Sequence, residues 1–220
     1  MNISNVAIAA SNGITITASM VCCVAWLYKY RWQYLQPRPL VASAIIIALT
    51  ALTFGLQLAY PEVLDVLRRD IVGLQAGEWW RLVTPLFVQP HGAFQFFFNM
   101  MFLAVFLPMV ERLYGARLWL LFFVPGVVGQ AVNYAWNPSG GGTSTAIFGV
   151  MGSVLMYVVW DRKNTPEQYW VFAILGLCSA VVMCFTRDGH GPGVLTGAVL
   201  AALICWLSPE QKLSASRTPG

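Results

Sequence analysis

The 220-residue chain predicts an all-α membrane protein, a helical bundle with seven candidate spans, and three observations lead there. Hydrophobic residues make up 58% of the chain and charged residues only 10%, and the mean hydropathy of +0.65 lies far above that of a soluble domain. Apolar runs approaching or reaching the roughly 20 residues that a spanning helix needs recur between short polar connectors. The 13 basic residues sit in those connectors rather than along one face. That distribution fits membrane topology and argues against nucleic acid as a partner.

The runs fall at about 6–28, 39–59, 95–110, 118–136, 144–160, 168–186 and 190–207. The first is the most polar, through Ser11, Asn12, Gly13, Thr15 and Thr17, so it either spans or lies on the surface. Its first basic neighbour, Lys29, follows rather than precedes it, so it is expected to be kept as a helix and not removed as a signal peptide. Three segments result: an extra N-terminal helix with its connector (1–38), a six-span core (39–207) and a short cytoplasmic tail (208–220). If the runs alternate, Lys29, Arg31, Arg38, Arg112, Arg117, Arg162, Lys163, Lys212 and Arg217 share one face, and Arg68, Arg69, Arg81 and Arg187 the other. The richer face should be cytoplasmic, with the N-terminus outside. In the long connector 60–94, residues 62–74 should form a surface helix with Val63, Val66, Leu67 and Val72 on one side. Trp79 and Trp80 suit the headgroup layer, and Arg81 can reach a phosphate or a carboxylate.

Five cysteines lie inside apolar runs without a C-x-x-C pair. Neither a metal site nor a disulfide framework is expected, and no cofactor.

The chemistry-bearing residues gather in three places. The stretch 139–152 (SGGGTSTAIFGVMG) is rich in glycine and opens a helix whose first turn holds Thr143, Ser144 and Thr145, hydroxyls that can also serve as N-caps. The stretch 188–200 (DGHGPGVLTGAVL) puts His190 at the start of an apolar helix, and an ionisable residue in a span is a functional candidate by default. Gly193 and Gly197 form a G-x-x-x-G step, and Thr145, Gly149 and Ser153 a matching stripe of small residues on the serine helix. Close packing of those faces would bring hydroxyl and imidazole together. A neutral imidazole can then take the serine proton, while the helix start offers free N–H groups to a developing oxyanion. Gln95 and Asn99, four residues apart, share one face of the greasy stretch 94–102. They either glue helices by hydrogen bonds or complete an oxyanion hole beside Ser144.

These pieces, in this order, resemble the rhomboid family of intramembrane serine proteases over about residues 39–207: Trp80-Arg81 in the long loop, Asn99 in the next span, Gly142-Thr143-Ser144 followed by Ala146-Ile147-Phe148-Gly149, then His190 with Gly193 and Gly197. The resemblance implies a rhomboid-like six-helix bundle with one extra N-terminal helix. It implies Ser144 as nucleophile and His190 as general base, with the Ser144 N–H and the Asn99 side chain binding the oxyanion and Gln95, Gly142 and Thr145 beside them. It also implies transmembrane segments of single-span proteins as substrates, membrane lipid as surroundings, and a bacterial inner membrane with the site opening to the periplasmic face. The chain departs from the family with Thr145 where glycine is usual, and with Gln95 and Gln89 where histidines are usual. Thr145 is expected to narrow the site or shift its specificity, and Asn133 to help line a wet outward cavity. His91 reads as an ordinary loop histidine. The departures also fit a relative that binds transmembrane helices without cutting them, although both dyad residues are present. A small transporter fits less well, because the carboxylates lie in connectors or near span ends.

Overall fold

A computed structural model describes residues 3–23 and 39–207, so the basic residues at 29, 31, 38, 212 and 217 lie outside the described part. Helix α1 spans Ile3–Met20 and runs into a π turn at 21–23. Helix α2 is Val41–Ala59, and two short helices, α3 (Glu62–Leu67) and α4 (Ile71–Gln75), belong to the long connector. Then follow α5 (Gly92–Tyr114), α6 (Leu118–Trp136), α7 (Ser144–Trp160), α8 (Glu167–Phe185) and α9 (His190–Leu207). The long helices coincide with the apolar runs, with α5 starting earlier and ending later than 95–110 because Gly92 and Gly115, both at positive φ, mark its limits. Five stretches are long and apolar enough to cross a membrane; one of them, Gly92–Trp136, holds α5 and α6 in succession, and Ser144–Trp160 is a shorter apolar helix.

Helix α7 is the axis of the bundle. It is buried without interruption from Thr145 to Leu155, as expected of a helix with no polar face. Around it stand α5, α6, α8, α9 and the flank of α1. The outer surfaces are apolar too: Leu52, Leu58, Phe97, Val199 and Trp206 are all exposed, a pattern that only lipid tolerates on this scale.

The closest helix pair is α7 with α9, and glycine makes it possible. A Cβ on Gly197 would collide with the Gly149 carbonyl, one on Gly152 with the Val194 carbonyl, and one on Gly193 would come within 2.7 Å of the Thr145 carbonyl. The two backbones are therefore in direct contact along about two turns.

Helix α1 packs mainly on α8. Three of its hydroxyls face inward, Ser11, Thr15 and Ser19, and the Thr15 hydroxyl meets the Ser179 hydroxyl and the Gly176 carbonyl, whereas Thr17 is exposed. Part of the polarity that suggested a surface helix, Thr15 above all, thus joins a helix pair.

The single surface helix expected over 62–74 is not what forms. The chain breaks between α3 and α4, where β1 (Arg69–Asp70) pairs antiparallel with β2 (Ser139–Gly140). Arg69 causes the break: it is buried, and its guanidinium donates to the Asn137 carbonyl (2.9 Å) and the Gln130 side chain. A continuous helix would leave that charge facing lipid or water. Asp70 then caps α4 by accepting from the Val72 N–H. Arg81 is buried against the Glu78 carboxylate and donates to the Asp65 and Arg68 carbonyls, both at 2.8 Å, stitching the connector to itself. Trp79 and Trp80 are exposed.

Candidate active site

Ser144 is the first residue of α7, so its own N–H and that of Thr145 have no intrahelical acceptor. The turn before it depends on glycine. Gly140 and Gly142 have φ of +141° and +137°, which side chains rarely tolerate, and the Gly142 N–H donates to the Pro85 carbonyl (2.8 Å). A Cβ on Gly142 would run into the Gln95 amide nitrogen and stand 3.5 Å from the Ser144 hydroxyl. Amide and hydroxyl therefore face the same small space beside Gly142. The Gln95 side-chain oxygen accepts from the His91 N–H (3.0 Å), which leaves the amide nitrogen turned toward that space.

His190 opens α9, 46 residues later, and its Nε2 lies 2.9 Å from the Ser144 Oγ. The other ring nitrogen, Nδ1, donates to Asp188 Oδ1 at 2.6 Å, and the His190 backbone N–H donates to the same oxygen at 3.0 Å. With Nδ1 as donor, Nε2 is the acceptor for the serine hydroxyl. The second carboxylate oxygen accepts from the Asn12 side chain of α1 at 2.7 Å. Burial alone would raise the Asp188 pKa, yet the hydrogen bond and charge attraction of the His190 ring, helped by the His190 backbone and Asn12 hydrogen bonds, outweigh it and hold the carboxyl at about 2, well below its ordinary 3.8. Phe148, one turn along α7 from Ser144, packs against the imidazole with ring centroids 4.5 Å apart.

Asn99 is buried on α5 and donates to the Gln89 side-chain oxygen (2.8 Å), whose amide nitrogen in turn donates to the Thr143 hydroxyl (2.7 Å). A primary amide has two N–H groups, and Gln89 takes one from Asn99. Gln57 of α2 holds the Gln89 backbone from both sides, accepting its N–H (3.0 Å) and donating to its carbonyl (2.9 Å). Fully buried Gln89 is thus the bridge between α5 and the serine turn.

Thr145 is buried, and its hydroxyl accepts from Gln130 of α6 (3.1 Å). Its β-branched side chain sits on the α6 side, where Gly129 clears the room: a Cβ there would be 3.3 Å from that of Thr145. The threonine is accommodated against α6. Asn133, one turn further along α6, packs on Gly189 between Asp188 and His190. His91 is exposed at the start of α5.

Two participants escape a reading of the sequence, Asp188 and Asn12. The Asp-Gly-His order was a usable signal, because two residues is the reach of a carboxylate that caps a helix start and turns back to a ring. Asn12 gave none, since its partner is 176 residues away.

Fold and site together define a multi-pass helical membrane protein whose serine and histidine meet at the starts of two closely packed helices. The rhomboid domain family matches residues 76–207. A Bacillus subtilis (strain 168) protein named "Putative rhomboid protease YdcA" is 32% identical over 182 residues, covering 76% of this chain and 89% of that protein. Rhomboid protease GluP of the same organism is 36% identical over 135 residues, covering 58% of this chain and 26% of that protein. The chain belongs to the rhomboid family, and at family level it stands with intramembrane proteases.

Proposed function

We propose that this chain is an intramembrane serine endopeptidase that cuts transmembrane segments of single-span proteins, with Ser144 as nucleophile and His190 as general base. The observation that carries this is the 2.9 Å contact between Ser144 Oγ and His190 Nε2, with Nδ1 committed to Asp188. Ser144 Oγ attacks the scissile carbonyl carbon while His190 Nε2 takes its proton. The oxyanion is met by the free Ser144 and Thr145 N–H groups, the Gln95 amide and the remaining N–H of Asn99. Collapse breaks the C–N bond, His190 returns the proton to the leaving amine, and water hydrolyses the acyl-enzyme by the same route. Scissile bonds within a helix are shielded, so segments with glycine, proline or polar residues are preferred. The basic residues favour an orientation in a bacterial inner membrane with the site opening to the periplasmic face.

Purified protein is to be incubated with a model single-span substrate and, separately, with a fluorophosphonate probe. Wild type should cleave and be labelled, and Ser144→Ala should do neither. His190→Ala should lose at least about 10³-fold in cleavage, the scale of losing general-base activation within such a dyad. Cleavage surviving in Ser144→Ala would overturn the proposal, and absence of both reactions in wild type would favour a helix-binding role.

A further inference from the structure

We infer that Asn12, on the N-terminal helix outside the six-helix core, is a positioning residue for catalysis, acting on His190 through Asp188. The inference rests on the Ser144–His190 reading above and adds a role for α1 to it. Asp188 lies in the turn between α8 and α9, its N–H bonded to the Met183 carbonyl (2.9 Å). Its side chain is 9% exposed. One oxygen takes both hydrogen bonds from His190, ring and backbone. The other takes the Asn12 amide at 2.7 Å. A carboxylate held at one oxygen alone can rotate about its Cβ–Cγ bond, and every such rotation swings the acceptor away from the imidazole. Asn12 closes that freedom from the far side. Imidazole orientation and tautomer are then fixed by a chain of contacts, Asn12 to Asp188 to His190 to Ser144, that begins on a different helix from either reacting group.

The docking of α1 does not depend on this contact. Thr15 is bonded to Ser179 and Gly176 deeper in the pair, and Ala18 packs where a Cβ on Gly176 would be 3.0 Å away. Asn12 sits one helical turn beyond those anchors. Its hydrogen bond is therefore separable from helix packing.

The test uses the full chain in detergent, selectively labelled with ¹⁵N-histidine, and four proteins: wild type, Asn12→Ala, Thr15→Val and Ser144→Ala. Only two histidines are present, His91 and His190, so the ring Nδ1–H resonance of His190 can be assigned directly. Asn12→Ala is expected to lower kcat on the single-span substrate by about tenfold to a hundredfold, the range of a charge-assisted hydrogen bond, with KM unchanged. It is also expected to shift the Nδ1–H resonance and speed its exchange with water. Thr15→Val, which loosens α1 without touching Asp188, should leave kcat within about twofold and the resonance in place. An unchanged resonance or unchanged kcat in Asn12→Ala, or an equal loss in Thr15→Val, overturns the inference. Ser144→Ala separates the two claims: residual cleavage there removes the dyad itself, whereas an inactive Ser144→Ala with an innocuous Asn12→Ala removes only the role of Asn12.

Discussion

Ser144 and His190 owe their meeting to residues that have no chemistry of their own. Gly142 is the clearest case, because its φ of +137° and the Gln95 amide beside it exclude any side chain. Gly142→Ala should fold, yet lose about 10²-fold or more in cleavage by displacing Ser144 or a donor to the oxyanion, as kinetics on the purified variant would record. Asp188 makes a different prediction. Its carboxyl is held at about 2 against an ordinary 3.8, so the folded state favours the ionised form. The resulting stabilisation, about 2 kcal/mol, is fully present above pH 3.8 and is lost as pH falls through 2. Asp188→Asn should therefore melt below wild type at pH 6, with the gap closing toward pH 2. A gap of constant size across that range would remove the charge from the explanation. Serine and histidine were legible in the sequence because hydroxyl and imidazole stood out against apolar helices. Gln89 was not: it reads as a plain departure from the family, and only the fold reveals that burial makes it a bridge from Asn99 to Thr143.

At the scale of elements, the site is a by-product of how closely α7 and α9 approach. Small residues every four positions announced that contact in the sequence, since only small side chains let two helix backbones touch. What could not be read was the break in the long connector, because the apolar spacing of 62–74 suits one amphipathic helix and tertiary burial of Arg69 overrides it. The approach of α7 and α9 yields a paired prediction. Gly197→Val drives a side chain into the Gly149 carbonyl, and overpacking of this kind costs about 1–3 kcal/mol and pushes His190 away from Ser144. Gly55, on α2, has open space around its Cα, so Gly55→Ala should be neutral or stabilise by up to about 1 kcal/mol through helix propensity. Thermal unfolding in detergent reads both, and equal effects at the two glycines would contradict the packing argument.

For the whole molecule, the described basic residues differ in how far their charge is satisfied within the protein. Four fall on the face assigned to the outside, but Arg69 and Arg81 are buried within the connector and spend their charge on carbonyls, side-chain acceptors and the Glu78 carboxylate. Arg68 is paired with Asp65 at 3.2 Å, and Arg187 is exposed at the surface. On the opposite face, Arg162 and Lys163 are both exposed at the end of α7. Charges that are internally satisfied exert little pull on anionic headgroups, so Arg69 and Arg81 add little to the count on the outer face. The orientation proposed above would put the α7–α8 connector in the cytoplasm and the long α2–α5 connector outside. With the native cysteines replaced, a cysteine at Asn164 should react with a membrane-impermeant maleimide only after the cells are opened. One at Ala76, which is exposed in that connector with an ordinary φ of −76°, should react in intact spheroplasts. The reverse pattern would invert the chain and place the Ser144–His190 pair on the cytoplasmic side, where it would meet the opposite ends of the same substrate helices.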